Sequence, residues 1–165
     1  MPLQIEFIKK ALMEFKKFLS SGIIGTSAMT IFSYLVSELM SENFREPEIM
    51  TTLIKNLLLT AKQYSPYLAW SLHYIIGFSF VLIYVRLWDN NKLKPNIESG
   101  LFLGAVTGIV GIIGWYFTLK IHPNPPIINL KHFFILLFFA HIVFGIFAVI
   151  GYILVKKLTD NVETK

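Results

Sequence analysis

The chain contains no cysteine, which excludes disulfides, thiolate metal sites and thiol nucleophiles and leaves the redox compartment undetermined. Charged residues are scarce, since they make up 15% of the 165 residues, whereas soluble domains carry roughly 25%. Hydrophobic residues account for 55% of the chain, and 15 of them are phenylalanine. This balance predicts a single membrane domain over residues 1–165 whose main partner is the lipid bilayer.

Familiar catalytic motifs are also missing. The sequence has no glycine-rich phosphate loop, no HExxH motif and no serine–histidine–aspartate set that spacing would support. No Asp or Glu lies in the middle of an apolar run, although a proton- or sodium-coupled transporter usually needs one. The net charge of +5 does not indicate nucleic-acid binding, because the basic residues cluster at the ends of apolar runs. These absences favour a protein without enzymatic activity.

Four apolar runs are long enough to cross a bilayer, for which about 20 residues are needed. They cover about 18–37, 67–88, 99–119 and 133–155. The sequence therefore predicts an all-α integral membrane protein with four transmembrane helices arranged as two tandem helical hairpins. Helical periodicity at 3–17 and 47–62 predicts two amphipathic surface helices. The alternative for 3–17 is a plain extension of the first span.

Basic residues predict the orientation. Ten of the 15 Lys and Arg residues lie at the N-terminus, in the connection between spans two and three, or at the C-terminus. The other five lie on the opposite side, at positions 45, 55, 62, 120 and 131. Because cytoplasmic segments carry the excess of positive charge, both termini are expected in the cytoplasm.

Small residues form stripes on the first and third spans. Small side chains let helices approach closely, so these residues are predicted to pack helices together, within the chain or between chains as a homo-oligomer or with other membrane subunits. The residues are Gly22, Gly25 and Thr26 on span one, and Gly100, Gly104, Thr107, Gly111 and Gly114 on span three. A polar cavity lined by span one is the alternative.

Spans two and four share a spacing of histidine, then glycine four residues later, then tyrosine eleven residues later. The copies are His73, Gly77, Tyr84 and His141, Gly145, Tyr152. Together with a weaker likeness between spans one and three, this indicates an internal repeat with parallel topology. It places the two imidazoles at similar depth, where they could face one another.

Four interpretations of this histidine pair remain open. Two imidazoles could hold haem b, with Gly77 and Gly145 making room for the macrocycle. They could bind a transition metal with His122 or His132, or form a pocket for a small molecule such as a quinone. Alternatively, each histidine bonds to a threonine or a backbone carbonyl and locks the bundle.

The stretch Gly22–Thr30 reads Gly-x-x-Gly-Thr-Ser-Ala-Met-Thr. With the four spans, it resembles the small uncharacterised prokaryotic inner-membrane proteins of the YagU type. The resemblance implies a multi-pass protein of the cell inner (plasma) membrane and brings no catalytic residues with it. Because the small-residue stripe on span three favours helix packing, we expect a non-enzymatic scaffold or subunit of a membrane assembly. The alternative is a cofactor- or ligand-binding membrane protein that uses His73 and His141.

Overall fold

The computed structural model describes residues 2–58 and 62–163. Within those ranges the chain is helical, without strands, which confirms the all-α prediction. The α-helices are α1 (Pro2–Met40), α2 (Glu46–Leu57), α3 (Ser65–Asp89), α4 (Ile97–Ile121) and α5 (Leu130–Glu163), and a 3-10 turn at Lys62–Tyr64 precedes α3. Helices α1, α3, α4 and α5 are long and apolar enough to cross a membrane. The chain is thus a multi-pass membrane protein.

Helix α1 contains two elements that are predicted from the sequence as separate helices. The predicted surface helix at 3–17 and the first span form one continuous helix of 39 residues. No glycine or proline occurs between Leu3 and Ser21, so nothing in the sequence ends the helix before the span begins. Residues 3–17 are thus helical and continuous with span one, and their position at the membrane surface stays a prediction.

Helix α2 is shorter than the predicted 47–62 and ends at Leu57, while residues 59–61 lie outside the described residues. It begins with an acidic first turn and Pro47, as helix N-termini favour. Ile49 and Leu53 are buried and pack with Phe133 of α5 in one apolar cluster. Helix α2 is therefore docked on the bundle through its apolar face.

The bundle is organised around α5, which packs along both α1 and α4, while α3 packs on α1 and α2. Helices α3 and α4 meet mainly near their short connection. There the Tyr84 hydroxyl donates to the Leu103 carbonyl at 2.8 Å, and Trp88 Nε1 donates to Ser99 Oγ at 3.1 Å. Elsewhere the backbones of α3 and α4 have few close contacts, which leaves space between the two helices toward the α2 end.

Glycines permit the close contact of α4 with α5. A Cβ on Gly145 would overlap the Gly100 carbonyl, and one on Gly104 would lie 2.5 Å from the His141 carbonyl oxygen. Thr107 of the same stripe is buried and donates to the Leu103 carbonyl at 2.9 Å. This part of the α4 stripe is used for packing within the chain.

The small residues of α1 also lie in helix contacts. Gly22 lies against the Phe78 ring of α3, and a Cβ on Gly25 would lie 3.1 Å from Ala148 of α5. Thr26 is fully buried, and its hydroxyl lies where a Cβ of Gly77 would be. These contacts place α1 between α3 and α5.

Candidate functional site

A cavity of about 270 Å³ lies between α3 and α4 at the α2 end of the bundle. All five helices contribute to its wall, which is largely apolar. Apolar members of the wall include Met29, Ile76, Phe80, Val110, Trp115 and Leu137. Its polar members include His73, His141, Glu46 and Thr118, so both predicted histidines line the same cavity.

The cavity reaches the surface of the candidate spans. Ile76 of α3 and Val110 of α4 both line it, and both are about half exposed. The two helices are candidate membrane spans whose exposed side chains are mostly apolar. The cavity therefore borders the largely apolar outer surface of α3 and α4.

His73 is buried, and its Nε2 lies 2.9 Å from Thr30 Oγ1. The Thr30 hydroxyl donates its single proton to the Thr26 carbonyl at 2.8 Å, so Thr30 can only accept from the imidazole. We assign the proton of the neutral ring to Nε2 from this geometry. The other nitrogen, Nδ1, is then an unprotonated hydrogen-bond acceptor.

His141 is equally buried, and its Nδ1 lies 2.9 Å from the Leu137 carbonyl oxygen. A carbonyl oxygen can only accept, so Nδ1 carries the proton. The unprotonated Nε2 lies above Gly111, where an added Cβ would be 2.9 Å away. The predicted packing residue Gly111 thus makes room for an imidazole ring.

Glu46 is the site residue that sequence reasoning missed. It is 2% exposed, and its Oε1 accepts a hydrogen bond from Ser33 Oγ at 2.9 Å. Its Oε2 has no hydrogen-bond partner among the described residues. Glu46 lies outside the four candidate spans, and burial raises the pKa of its carboxyl to about 7, although the Ser33 hydroxyl opposes the shift. A third polar group thus lines the cavity.

One sequence signal could have indicated this position. Glu46 begins α2 beside Pro47, and the sequence predicts for it only a favourable interaction with the helix dipole. Ser33 belongs to the hydroxyl-rich face of the first span. A carboxyl close in sequence to that face was a candidate partner for one of its hydroxyls.

The glycines of the histidine repeat lie in different surroundings. Gly77 lines the cavity and lies against Thr26. Gly145 does not line it, because its backbone is packed on Gly100 and Gly104 in the contact between α4 and α5. Gly145 thus serves helix packing in this structure, and its role in making room for a cofactor stays a prediction.

Gly114 makes no close contact within the chain, since a Cβ added there would meet no atom within 4 Å. It lines the cavity, where its lack of a side chain leaves room. Packing of Gly114 against another chain stays a prediction.

A metal site does not fit the observed positions. In the part of the chain that the structure describes, no group of three His, Cys, Asp or Glu residues could hold a metal ion. The two proposed extra ligands do not line the cavity: His122 Nε2 contacts the Leu53 carbonyl at 3.0 Å, and His132 Nδ1 lies 3.3 Å from Glu42 Oε1.

The two imidazole rings differ in whether Nε2 is free to bind a haem iron. His141 presents a free Nε2, but His73 Nε2 is bonded to Thr30. The two observed histidine bonds are of the kind that the structural interpretation predicts, to a threonine and to a backbone carbonyl. Each bond occupies only one ring nitrogen, which leaves the other available to a ligand.

Comparisons of the chain with protein-family models, with curated proteins and with solved structures found no match. The resemblance to the YagU-type proteins stays a prediction.

Proposed function

We propose that this membrane protein binds a small, mainly apolar molecule from the bilayer in the cavity between α3 and α4. One observation carries the proposal. A largely apolar wall includes His73, His141 and Glu46, and the protein's own hydrogen bonds leave His73 Nδ1 and His141 Nε2 unoccupied. Ligand sites combine an apolar lining with a few such polar groups.

Burial of these groups supports a ligand more than a purely structural role. The largely apolar lining offers the two free imidazole nitrogens no partner, and a polar atom left without one in such surroundings costs about 1–3 kcal/mol. The bonds of His73 to Thr30 and of His141 to Leu137 would fix both rings without any cavity between them. A bound molecule with polar atoms accounts for both the empty volume and the unused nitrogens.

A scaffold or subunit role is the other candidate, and its main sequence argument was the small-residue stripe of α4. Gly100 and Gly104 of that stripe are covered by α5 of the same chain. The stripe therefore supports packing within the chain and leaves no specific observation in favour of a homo-oligomer or of other membrane subunits. Ligand binding, with no enzymatic step assigned, is the better-supported proposal.

The internal repeat is also part of this proposal. Gly77 of α3 packs on Thr26 of α1, and Gly145 of α5 packs on Gly104 of α4. In each hairpin the repeated glycine thus lies against a small-residue position of its partner span. This correspondence supports two related hairpins, with the cavity placed where their second helices bring His73 and His141 together.

We retain the predicted inner-membrane location with both termini in the cytoplasm, since the excess of basic residues supports it. The cavity would then open in the outer half of the bilayer. Fusing a reporter that is active only in the cytoplasm to the C-terminus tests the orientation, and an inactive fusion at normal expression would contradict it.

The ligand proposal is tested with a variant that fills the cavity. Gly114→Leu adds a side chain where no neighbouring atom lies within 4 Å, so it should occupy the cavity without displacing a helix. Val106→Leu is the matched control, because Val106 is 42% exposed on the same helix and does not line the cavity. Both variants should fold as the wild type does.

Small molecules that are released from each purified protein are then identified by mass spectrometry. We expect a compound that is enriched over bulk lipid in the wild type and in Val106→Leu, and that is lost in Gly114→Leu. The same lipid profile in all three proteins would overturn the proposal.

A further inference from the structure

We infer that the molecule bound in this cavity carries a hydroxyl group, which donates a hydrogen bond to His73 Nδ1 or His141 Nε2. The inference rests on the proposed function and narrows its ligand class. It distinguishes hydroxyl-bearing apolar molecules, such as phenols and long-chain alcohols, from ethers and ketones of the same shape.

The direction of the hydrogen bonds follows from bonds that the protein already makes. The Leu137 carbonyl requires the proton of His141 on Nδ1, and because the Thr30 hydroxyl is directed at the Thr26 carbonyl, we assign the proton of His73 to Nε2. Both unused nitrogens are consequently acceptors. A complementary ligand must supply the donor.

A ligand that has only hydrogen-bond acceptors could not pair with His73 Nδ1 or His141 Nε2, because both nitrogens are also acceptors. To pair with it, His141 would have to move its proton to Nε2 and lose the bond to the Leu137 carbonyl. An acceptor-only ligand would otherwise leave the nitrogens desolvated and unpaired, which is the arrangement that binding sites reject most strongly. The cavity therefore discriminates by donor capacity.

Glu46 does not change this requirement. Its side chain lines the same cavity, but Oε1 is bonded to Ser33 and Oε2 is buried. The requirement for a donor on the ligand therefore rests on the two histidines.

The test compares pairs of probes that differ by one proton donor. Binding of 4-hexylphenol and 1-octanol to the full chain in detergent is measured by calorimetry against their methyl ethers, 4-hexylanisole and 1-methoxyoctane. We expect the hydroxyl compound of at least one pair to bind about 10-fold more tightly than its ether. The pair with the larger ratio tells whether the natural ligand is phenolic or aliphatic.

Two variants connect the preference to the histidines. His73→Phe and His141→Phe keep a planar ring of similar size and remove the acceptor nitrogen. The preference for the hydroxyl should fall toward 1 in one of them or in the double variant. His132→Phe is the control, since His132 contacts Asn129 and Glu42 and does not line the cavity, and it should keep the preference.

The outcomes separate the two proposals. Equal binding of hydroxyl compounds and ethers to the wild type would overturn the hydroxyl inference and leave the ligand site standing. A preference that survives in the double variant would also overturn it. If neither hydroxyl compound nor ether binds, the proposed function fails as well. The comparison of hydroxyl compounds with ethers on the wild type tests the hydroxyl inference even if a phenylalanine variant does not fold.

Discussion

Ser33 Oγ of α1 donates a hydrogen bond of 2.9 Å to Glu46 Oε1 of α2, and both side chains are almost completely buried. Residues of α2 form part of the cavity wall, so this bond ties that wall to the longest helix of the bundle. The second carboxyl oxygen has no partner within the described residues. The position of α2 therefore depends on the Glu46 carboxyl group. Burial makes the charged form of this group unfavourable.

The first prediction concerns pH. Burial raises the pKa of Glu46 from its ordinary value of 4.5 to about 7. The folded state therefore binds the proton more tightly than the unfolded state, and the free energy of unfolding should fall as pH rises from about 4.5 to about 7. The full loss is of the order of 3 kcal/mol. Melting temperatures in detergent at pH 5 and pH 8 measure it.

Glu46→Gln supplies the comparison for this pH effect. It cannot ionise, so it should melt at a similar temperature at both pH values and above the wild type at pH 8. Glu98→Gln, at an exposed position in the first turn of α4, should behave as the wild type does. Identical pH curves for the wild type and Glu46→Gln would exclude Glu46 as the origin.

The second prediction concerns the opposite end of the bundle. The Tyr152 hydroxyl of α5 donates to Asp89 Oδ1 at 2.6 Å, and Asp89 also forms an ion pair with buried Lys17 of α1. Tyr152→Phe should lower the free energy of unfolding by about 1.5–3 kcal/mol, because it removes a bond to a charged group. Chemical denaturation in detergent measures the change.

Tyr67→Phe is the matched control for Tyr152→Phe. Tyr67 is 73% exposed, and no hydrogen bond of its hydroxyl is found in the described part of the chain. Its removal should change the free energy of unfolding by less than about 0.5 kcal/mol. Equal effects of the two substitutions would show that the contact of Tyr152 with Asp89 contributes little.

The third prediction contrasts two glycines. Gly145→Ala places a methyl group onto the backbone of Gly100 and Gly104, so α4 and α5 must move apart, at a cost of about 1–3 kcal/mol. Gly114→Ala meets no atom within 4 Å and should be neutral or stabilise the helix by up to about 1 kcal/mol. Denaturation curves that rank the variants in the reverse order would contradict the helix contacts described here.

The fourth prediction concerns haem. Because Thr30 occupies His73 Nε2, only His141 offers an Nε2 to a haem iron. We expect protein that is purified after growth with sufficient haem to show no Soret band, with or without dithionite. A Soret band that disappears in His141→Phe would restore the haem interpretation and displace the hydroxyl-bearing ligand.

Length and composition predicted the spans well, because each run of apolar residues had to become a helix in lipid whatever its neighbours were. The start of α4 was equally local, since the Asn96 side chain accepts from the Ser99 backbone N–H at 2.9 Å. The position of each histidine relative to the glycine and tyrosine of its own helix also followed from helical spacing. These features depend on residues that are close together in sequence.

The remaining features depend on which helices become neighbours. Helix α5 lies between α1 and α4, and the hairpin scheme did not predict its contact with α1. That arrangement decides that Gly145 meets α4, whereas Gly114 lines open space. Likewise, Glu46 reaches the cavity only because α2 folds back onto the bundle. Spacing along one helix carries no information on these choices.

The continuity of α1 makes this helix much longer than a membrane span requires. Its 39 residues extend for about 58 Å, nearly twice the roughly 30 Å hydrocarbon thickness of a bilayer. Lys17 forms an ion pair with Asp89, and α1 continues for some 22 Å beyond Lys17 toward the N-terminus. On the other side, Met29 belongs to the cavity wall. If α1 tilted as a rigid rod by about 10° around Lys17, its N-terminal end would move by about 4 Å.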